Sequence, residues 1–370
     1  MAIVIQPFTE DRVTAVKAFN QRLAAGGIPS RFHFPESSIP EWLPKENGRR
    51  IYQEYYLAVE GNDVRGGFIL KHQEFSVGGQ TLPIVYYHLP VSEGIVNNSY
   101  ANVGVLMLRV AMKMKPMLFA LGMGGFDRPL PKMLKATGWR LTALPLYFRV
   151  HHPLPFLRQI APLRRSLGRR AIADLAAITG TGWLGIKLVH RLRTIERPRG
   201  VEATPINDFG PWADGLWQLG CQHYGFIGDR RSETLKLLYP TSDKFLRFRI
   251  TRGSETLGWA VVLDTQMRDN QYFGNLRVGT IADCLATPQN AFDIVHATTT
   301  VLEKRGVDVM IANHSHAAWG DAFHSAGYLR GPSNFIFAAS KPLAEKLGPF
   351  ETNRNLAYIM RGDGDGPVNL

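Results

Sequence analysis

The chain has 370 residues, 45% hydrophobic and 20% charged, with 36 Gly and 23 Pro, which excludes a disordered or fibrous protein and exceeds one ordinary domain. Its net charge is +12, and +8 of it falls in residues 152–200, where ten Lys/Arg meet two Asp/Glu. Charge this concentrated points to a local docking surface rather than to general nucleic-acid affinity.

The first residues, MAIVIQPFTED, have neither the basic start nor the long apolar stretch of a secretory signal. No uncharged apolar run in the chain approaches the roughly 20 residues of a membrane-spanning helix. Residues 3–5 predict a short strand. Val13, Val16, Phe19 and Leu23 recur at helical spacing and stop at Gly26-Gly27. Strands are expected at 55–60 and 66–71, joined across Gly61-Asn62-Asp63, and a third at 83–89. A helix over 100–114, a buried strand at 117–121 and a proline-started helix over 129–137 follow. Gly138-Trp139 ends that helix, and a strand at 144–150 closes the unit.

The basic segment comes next. Leu154, Leu157, Ile160, Leu163 and Leu167 keep helical spacing, with Arg158, Arg164, Arg165, Arg169 and Arg170 between them. A shorter apolar set around Trp183 is flanked by Lys187, Arg191 and Arg193. Such a segment suits an interdomain linker, an anionic membrane surface contacted by residues 154–197, or a phosphate backbone such as that of transfer RNA. The membrane ranks ahead of transfer RNA.

After it the same order returns. Helices are expected at 209–221 and 232–238, a hairpin at 245–251 and 257–263, and a long strand at 276–285. A helix over 291–305, a buried strand at 307–312, a helix over 317–326 ended by Gly327-Tyr328, and a strand at 334–339 complete it. The repeat length is about 150 residues. It predicts an α+β protein with domains at 1–151 and 201–350, a linker at 152–200 and a tail at 351–370. The two cysteines, Cys221 and Cys284, are too few for a disulfide framework or a cysteine-built metal site.

This order of elements resembles the GNAT superfamily of acyl-CoA N-acyltransferases, present twice. The sharpest match is VDVMIANHSHAAWGDAFHSAGY, residues 307–328, with PMLFALGMGGFDRPLPKMLKATGW, residues 116–139, as its counterpart. In that family a Gly-rich turn after the long fourth strand holds the CoA pyrophosphate, as backbone N–H groups at a helix start favour phosphate. The equivalent stretches here are 91–99, which contains Glu93, and 286–290. Neither carries the Gly-x-Gly pattern, and Pro288 removes an amide donor. The family's acidic tyrosine falls at Leu134 and Phe323. The tandem arrangement also resembles Fem-type aminoacyl transferases and GNAT-like proteins of bacterial polysaccharide clusters.

The resemblance implies acyl-CoA or acetyl-CoA as co-substrate, contacted by Thr287, Gln289, Asn290 and Asn313. Acyl transfer to an amine needs a base and oxyanion donors. The candidates for catalysis are Asp283 and His88, near the ends of the two long strands, and His316. His314 and Ser315, where the fifth strand opens into its helix, and Asp363 and Asp365 of the RGDGDG tail are candidate substrate contacts. His314, His316 and His324 lack a carboxylate or Cys at metal-ligand spacing, so no metal is expected, and the tail is too short for a calcium loop. Ser315 is expected to cap the following helix. The expected function is transfer of an acyl group to an amine on a sugar or cell-envelope precursor, in the cytoplasm or peripheral on the membrane's cytoplasmic face. The alternative is a degenerate, non-catalytic pair that binds a polysaccharide precursor, transfer RNA or a protein.

Overall fold

Long strands with apolar residues on both faces, separated by short amphipathic helices, build two mixed sheets in a computed structural model that describes residues 2–159 and 198–364. Most of the basic segment, residues 160–197, lies outside the described residues, as does Asp365. The first stretch contains β1 (Val4–Pro7), α1 (Val13–Ala25), β2 (Tyr52–Glu60), β3 (Asp63–Val77), β4 (Gln80–Ser92), α2 (Val103–Met114), β5 (Leu118–Gly122), α3 (Pro129–Ala136) and β6 (Arg140–Ala143). The chain goes on with β7 (Leu146–Val150) and α4 (Pro153–Gln159), and the second stretch holds β8 (Val201–Pro205), α5 (Trp212–Gly220), β9 (Phe226–Gly228), α6 (Ser232–Leu238), β10 (Leu246–Arg252) and β11 (Glu255–Gln266). It continues with β12 (Arg277–Ala286), α7 (Ala291–Lys304), β13 (Val309–Asn313), α8 (Ala317–Ser325) and β14 (Leu329–Gly331). Then come β15 (Ile336–Ala339), α9 (Lys341–Leu347), β16 (Ala357–Tyr358) and a 3-10 turn, Arg361–Asp363.

The chain divides into two units. Unit 1 comprises Met1–Ala143 with Asn334–Thr352, and unit 2 comprises Leu144–Ser333 with Asn353–Leu370. The sheet of unit 1 runs β1-β2-β3-β4-β5-β15-β6, and that of unit 2 runs β8-β10-β11-β12-β13-β7-β14. Position by position the orders match, except that the sixth strand of each sheet is drawn from the other half of the chain. β15 lies antiparallel between β5 and β6, and β7 lies antiparallel between β13 and β14. The boundaries expected at 151 and 201–350 therefore differ from those of the folded units. The strand at 144–150 closes unit 2 rather than unit 1, and the strand near 334–339 enters unit 1.

The exchange is anchored chemically. Ser340, just past β15, is fully buried; its Oγ donates to Pro116 O at 2.7 Å and accepts Leu118 N–H at 3.1 Å. Both donor and acceptor at the start of β5 are thus satisfied.

Each sheet has one parallel pair, β4 with β5 and β12 with β13. Each also has an irregular register just beyond it, between Gly67 and Ile69 opposite β4 and between Val261 and Val262 opposite β12. Glycine sits at matching places on the neighbouring strands. A Cβ on Gly67 would meet the Phe34 ring at 2.7 Å, and one on Gly258 would meet Leu285 O at 2.4 Å. The repeat read from the sequence is therefore a repeat of backbone geometry. In unit 1, α1 buries Val16, Phe19 and Leu23 on one sheet face, while α2 buries Val103, Met107, Leu108 and Ala111 on the other.

Candidate active site

In both units the fourth and fifth strands pair briefly and then part. β4 and β5 pair at Val85–Leu118 and Tyr86–Phe119, after which β4 continues along β3 to Ser92. β12 and β13 pair from Val278–Val309 to Ile281–Ala312, after which β12 continues along β11 to Ala286. His88 and Asp283, both candidate bases, stand at equivalent places, two residues past the last parallel pair. Their surroundings differ.

In unit 2 the parting is filled by residues 357–363. On the β13 side, His314 forms a bridge with Met360. Ser315 N donates to Ile359 O at 3.1 Å, Ile359 N donates to Ser315 Oγ at 2.8 Å, and Ser315 Oγ donates to Ala357 O. On the β12 side, Tyr358 OH donates to Cys284 O. β16 also pairs in parallel with β9.

Arg230, 1% exposed, locks this segment in place. Its Nε donates to Asp283 at 3.1 Å, its Nη2 to Asp363 at 2.9 Å and its Nη1 to Gly228 O at 3.0 Å. Asp283 also accepts from Tyr239 OH at 2.7 Å and from Cys284 N at 2.9 Å. Asp363 accepts Met360 N–H at 2.8 Å. Burial pushes the Asp283 carboxyl up to about 6; Arg230 opposes this and the Asp363 carboxylate adds to it. At 1% exposure, with three donors upon it, Asp283 ties the chain end to the sheet.

The other expected residues of unit 2 are also packed. His316 is 5% exposed and caps α8, its Nδ1 accepting Ala318 N–H at 3.3 Å; the cap expected of Ser315 is supplied by His316, because Ser315 binds the chain end. His314 accepts His316 N–H at 3.1 Å and stacks on Trp319. Burial holds both imidazoles below the usual histidine range. Asn313 donates to Pro145 O at 3.3 Å and accepts from Arg361 at 3.4 Å. Thr287, Gln289 and Asn290 form the turn into α7; Gln289 is exposed and the other two half-buried. The fold thus gathers Asp283, Asn313, His314, His316 and Asp363 into one buried cluster, with the half-buried Ser315 beside it, and leaves the α7 turn at the surface. Among the described residues no group of three His, Cys, Asp or Glu side chains is arranged to hold a metal ion.

In unit 1, His88, Leu89 and Pro90 are half-buried, whereas Asp283 to Ala286 are buried. Tyr86 OH donates across the parting to Leu121 O at 3.2 Å. His88 Nδ1 lies 3.3 Å from the same hydroxyl. Since that hydroxyl's proton is directed at Leu121 O, it accepts from His88 Nδ1–H. This hydrogen-bond assignment puts the imidazole lone pair on Nε2.

Beyond β4, the first turns of α2 border a cleft of about 500 Å³ lined by Ile3, Ser99, Tyr100, Asn102, Leu106 and Arg109. Glu93 is 3% exposed and paired with two arginines. Arg22 Nη2 reaches it at 3.0 Å and Arg65 Nη1 at 3.2 Å. Arg65 also lies 4.4 Å from the Tyr100 ring centre.

No family model matches the sequence, and no curated protein matches it. Solved structures do. A GCN5-related N-acetyltransferase from Anabaena variabilis aligns over 77% of this chain at 11% identity and a TM-score of 0.46; the chain spans 62% of that protein's length. A probable N-acyltransferase of unknown function from Enterococcus faecalis V583 aligns over 94% of this chain and 74% of its own, at 8% identity and a TM-score of 0.51. Saccharomyces cerevisiae N-myristoyltransferase, solved with bound myristoyl-CoA, aligns over 91% and 79%, at 8% identity and a TM-score of 0.53. The chain has a tandem GNAT fold. At these identities the likeness is one of fold, and the expected α+β pair of GNAT-like halves is what the sheets form.

Two features of the fold were not read from the sequence. Arg230 sits in Gly228-Asp229-Arg230-Arg231-Ser232, a polar stretch at a helix start that reads as exposed. The position of Tyr86 between β4 and β5 depends on strand pairing, which composition does not encode.

Proposed function

We propose that the protein is an N-acyltransferase that takes its acyl donor, as acyl-CoA, in unit 1. The observation carrying the choice of half is the filled parting of unit 2, set against the half-buried His88–Pro90 edge and the cleft at α2 in unit 1. Yeast N-myristoyltransferase, of like fold, holds myristoyl-CoA, which supports a CoA thioester as donor. Ser99, Asn102, Arg109 and the unpaired first amides of α2 suit phosphate groups. His88 Nε2 takes the proton of the attacking amine. Unit 2 serves as scaffold, with Asp283, His314, His316 and Asp363 in structural roles.

The acceptor is an amine on a sugar or cell-envelope precursor, met at the membrane's cytoplasmic face through the Arg-rich segment. The charge of residues 152–200 supports this reading. No helix among the described residues is long and apolar enough to cross a membrane.

Isothermal titration of the full chain with acetyl-CoA and with a long-chain acyl-CoA tests the donor. We expect saturation near one site, weakened about tenfold or more in Arg109→Glu, since each phosphate contact by a charged group contributes about 1.5–3 kcal/mol. Equal affinity in that variant would remove the cleft from the donor site. Absence of binding to either compound would leave a non-catalytic role.

A further inference from the structure

The two oxygens of Asp283 meet unlike partners. Oδ1 accepts from Arg230 Nε at 3.1 Å and from the Cys284 amide at 2.9 Å. Oδ2 meets the Tyr239 hydroxyl at 2.7 Å, and a hydroxyl can accept a hydrogen bond as well as donate one. Gly362 lies directly over that pair, since a Cβ there would clash with the Tyr239 oxygen and with Asp283 Oδ2. The 3-10 turn Arg361–Asp363 therefore sits flush on the Asp283 carboxyl. It also brings Asp363 within 2.9 Å of Nη2 of the same guanidinium. Two buried carboxylates thus share Arg230. Like charges in such a site repel, and a proton on one of them removes the repulsion. Oδ2 of Asp283 is the place for that proton, with the Tyr239 oxygen as its acceptor.

We propose that Asp283 is a proton-operated catch for residues 357–363, which close the parting of β12 and β13 firmly when it is protonated and loosen when it is ionised. With Asp283 neutral, the Arg230 charge is left to Asp363 and holds the turn at full strength. With Asp283 ionised, Arg230 is divided and Asp363 is repelled. Burial pushes the Asp283 carboxyl up to about 6; Arg230 opposes this and Asp363 adds to it. A carboxyl raised in the closed form favours closure below the usual carboxylate range, and that gain is lost as pH rises through about 6.

The other groups packed around Asp283 do not titrate in its place. Burial pushes the phenols of Tyr239, just past α6, and Tyr358, in β16, well above their usual range. It raises the neighbouring Cys284 thiol as well. Arg247 approaches from β10, donating to Tyr239 O at 3.1 Å, and arginine is a cation at every working pH. On the β13 side burial holds His314 and His316 below the usual histidine range, and Arg354 acts in the same direction. The catch belongs to unit 2 and is independent of where an acyl donor binds.

Hydrogen exchange of the full chain at about pH 5 and about pH 8 tests it, with each rate divided by the intrinsic rate at that pH. The reporters are the amides of Ile359 and Met360, which donate to Ser315 Oγ and to Asp363. The amides of α7 are the reference for unfolding of the whole unit. We expect protection of the reporters to fall about tenfold from the lower pH to the higher, as linkage requires of a carboxyl held near 6 only in the closed form. Protection in α7 should not change. Asp283→Asn, whose amide donates to the Tyr239 oxygen where the proton would, should keep the higher protection at both pH values. Asp363→Asn removes the repelled charge and should move the fall to lower pH, and it carries the test if Asp283→Asn does not fold. Equal protection at both pH values in the wild type overturns the catch. A fall that persists unchanged in the variants puts the proton on another group and overturns it too. So does a fall matched by α7, since pH would then act on the whole unit.

Discussion

Replacing Arg230 with Leu lowers the unfolding free energy by about 3–5 kcal/mol, the range for breaking a buried ion pair from one side. The guanidinium serves two carboxylates, Asp283 and Asp363, and its removal leaves both buried without a cation. Tyr239 OH, Cys284 N and Met360 N remain as donors, which keeps the loss finite. Denaturant unfolding measures it. Because two carboxylates without a cation cause the damage, Arg230→Met combined with Asp283→Asn and Asp363→Asn should recover a substantial part. A single variant within about 1 kcal/mol of wild type, the scale of an exposed pair, would show that the lock does not hold the chain end.

If unit 1 carries the proposed acyl transfer, replacing His88 with Ala is expected to lower kcat by about 10²–10⁴, the range for a positioned general base, and to leave donor affinity unchanged. Asp283, at the equivalent place in unit 2, is engaged by Arg230 and Tyr239. The half-buried His88 has its Nδ1 3.3 Å from the Tyr86 hydroxyl, which itself donates to Leu121 O. Steady-state rates with hydroxylamine and acetyl-CoA, together with titrated affinity, separate the two effects. Wild-type kcat in the variant would remove His88 from the chemistry. A parallel loss of affinity would make it a donor contact instead.

Periodicity and turn residues carried much of this architecture. The helix read from Val13, Phe19 and Leu23 ends at Ala25, just before Gly26-Gly27. The hairpin across Gly61-Asn62 is β2 and β3, and the helices ended by Gly138-Trp139 and Gly327-Tyr328 are α3 and α8. Local pattern could not say which sheet a strand would join. The Leu144–Val150 pattern marks a strand equally well whether it pairs with β5 or with β13, and long-range pairing chose β13. The site was legible in its members more than in their roles. Asp283, Ser315, His316 and Asp363 do converge, and the RGDG stretch does fold back onto β12. What ties Asp363 to Asp283 is Arg230, a residue set between Asp229 and Arg231 whose burial no local signal announces.

The central claim is that the donor enters at the parting of β4 and β5 and not at that of β12 and β13. Hydrogen exchange of the full chain with and without saturating acetyl-CoA tests it most directly. The account predicts new protection over residues 87–109, with residues 283–299 and 357–363 unchanged. Protection appearing instead over residues 283–299, with loosening of 357–363, would mean that the chain end yields to the donor and that unit 2 is the transferase.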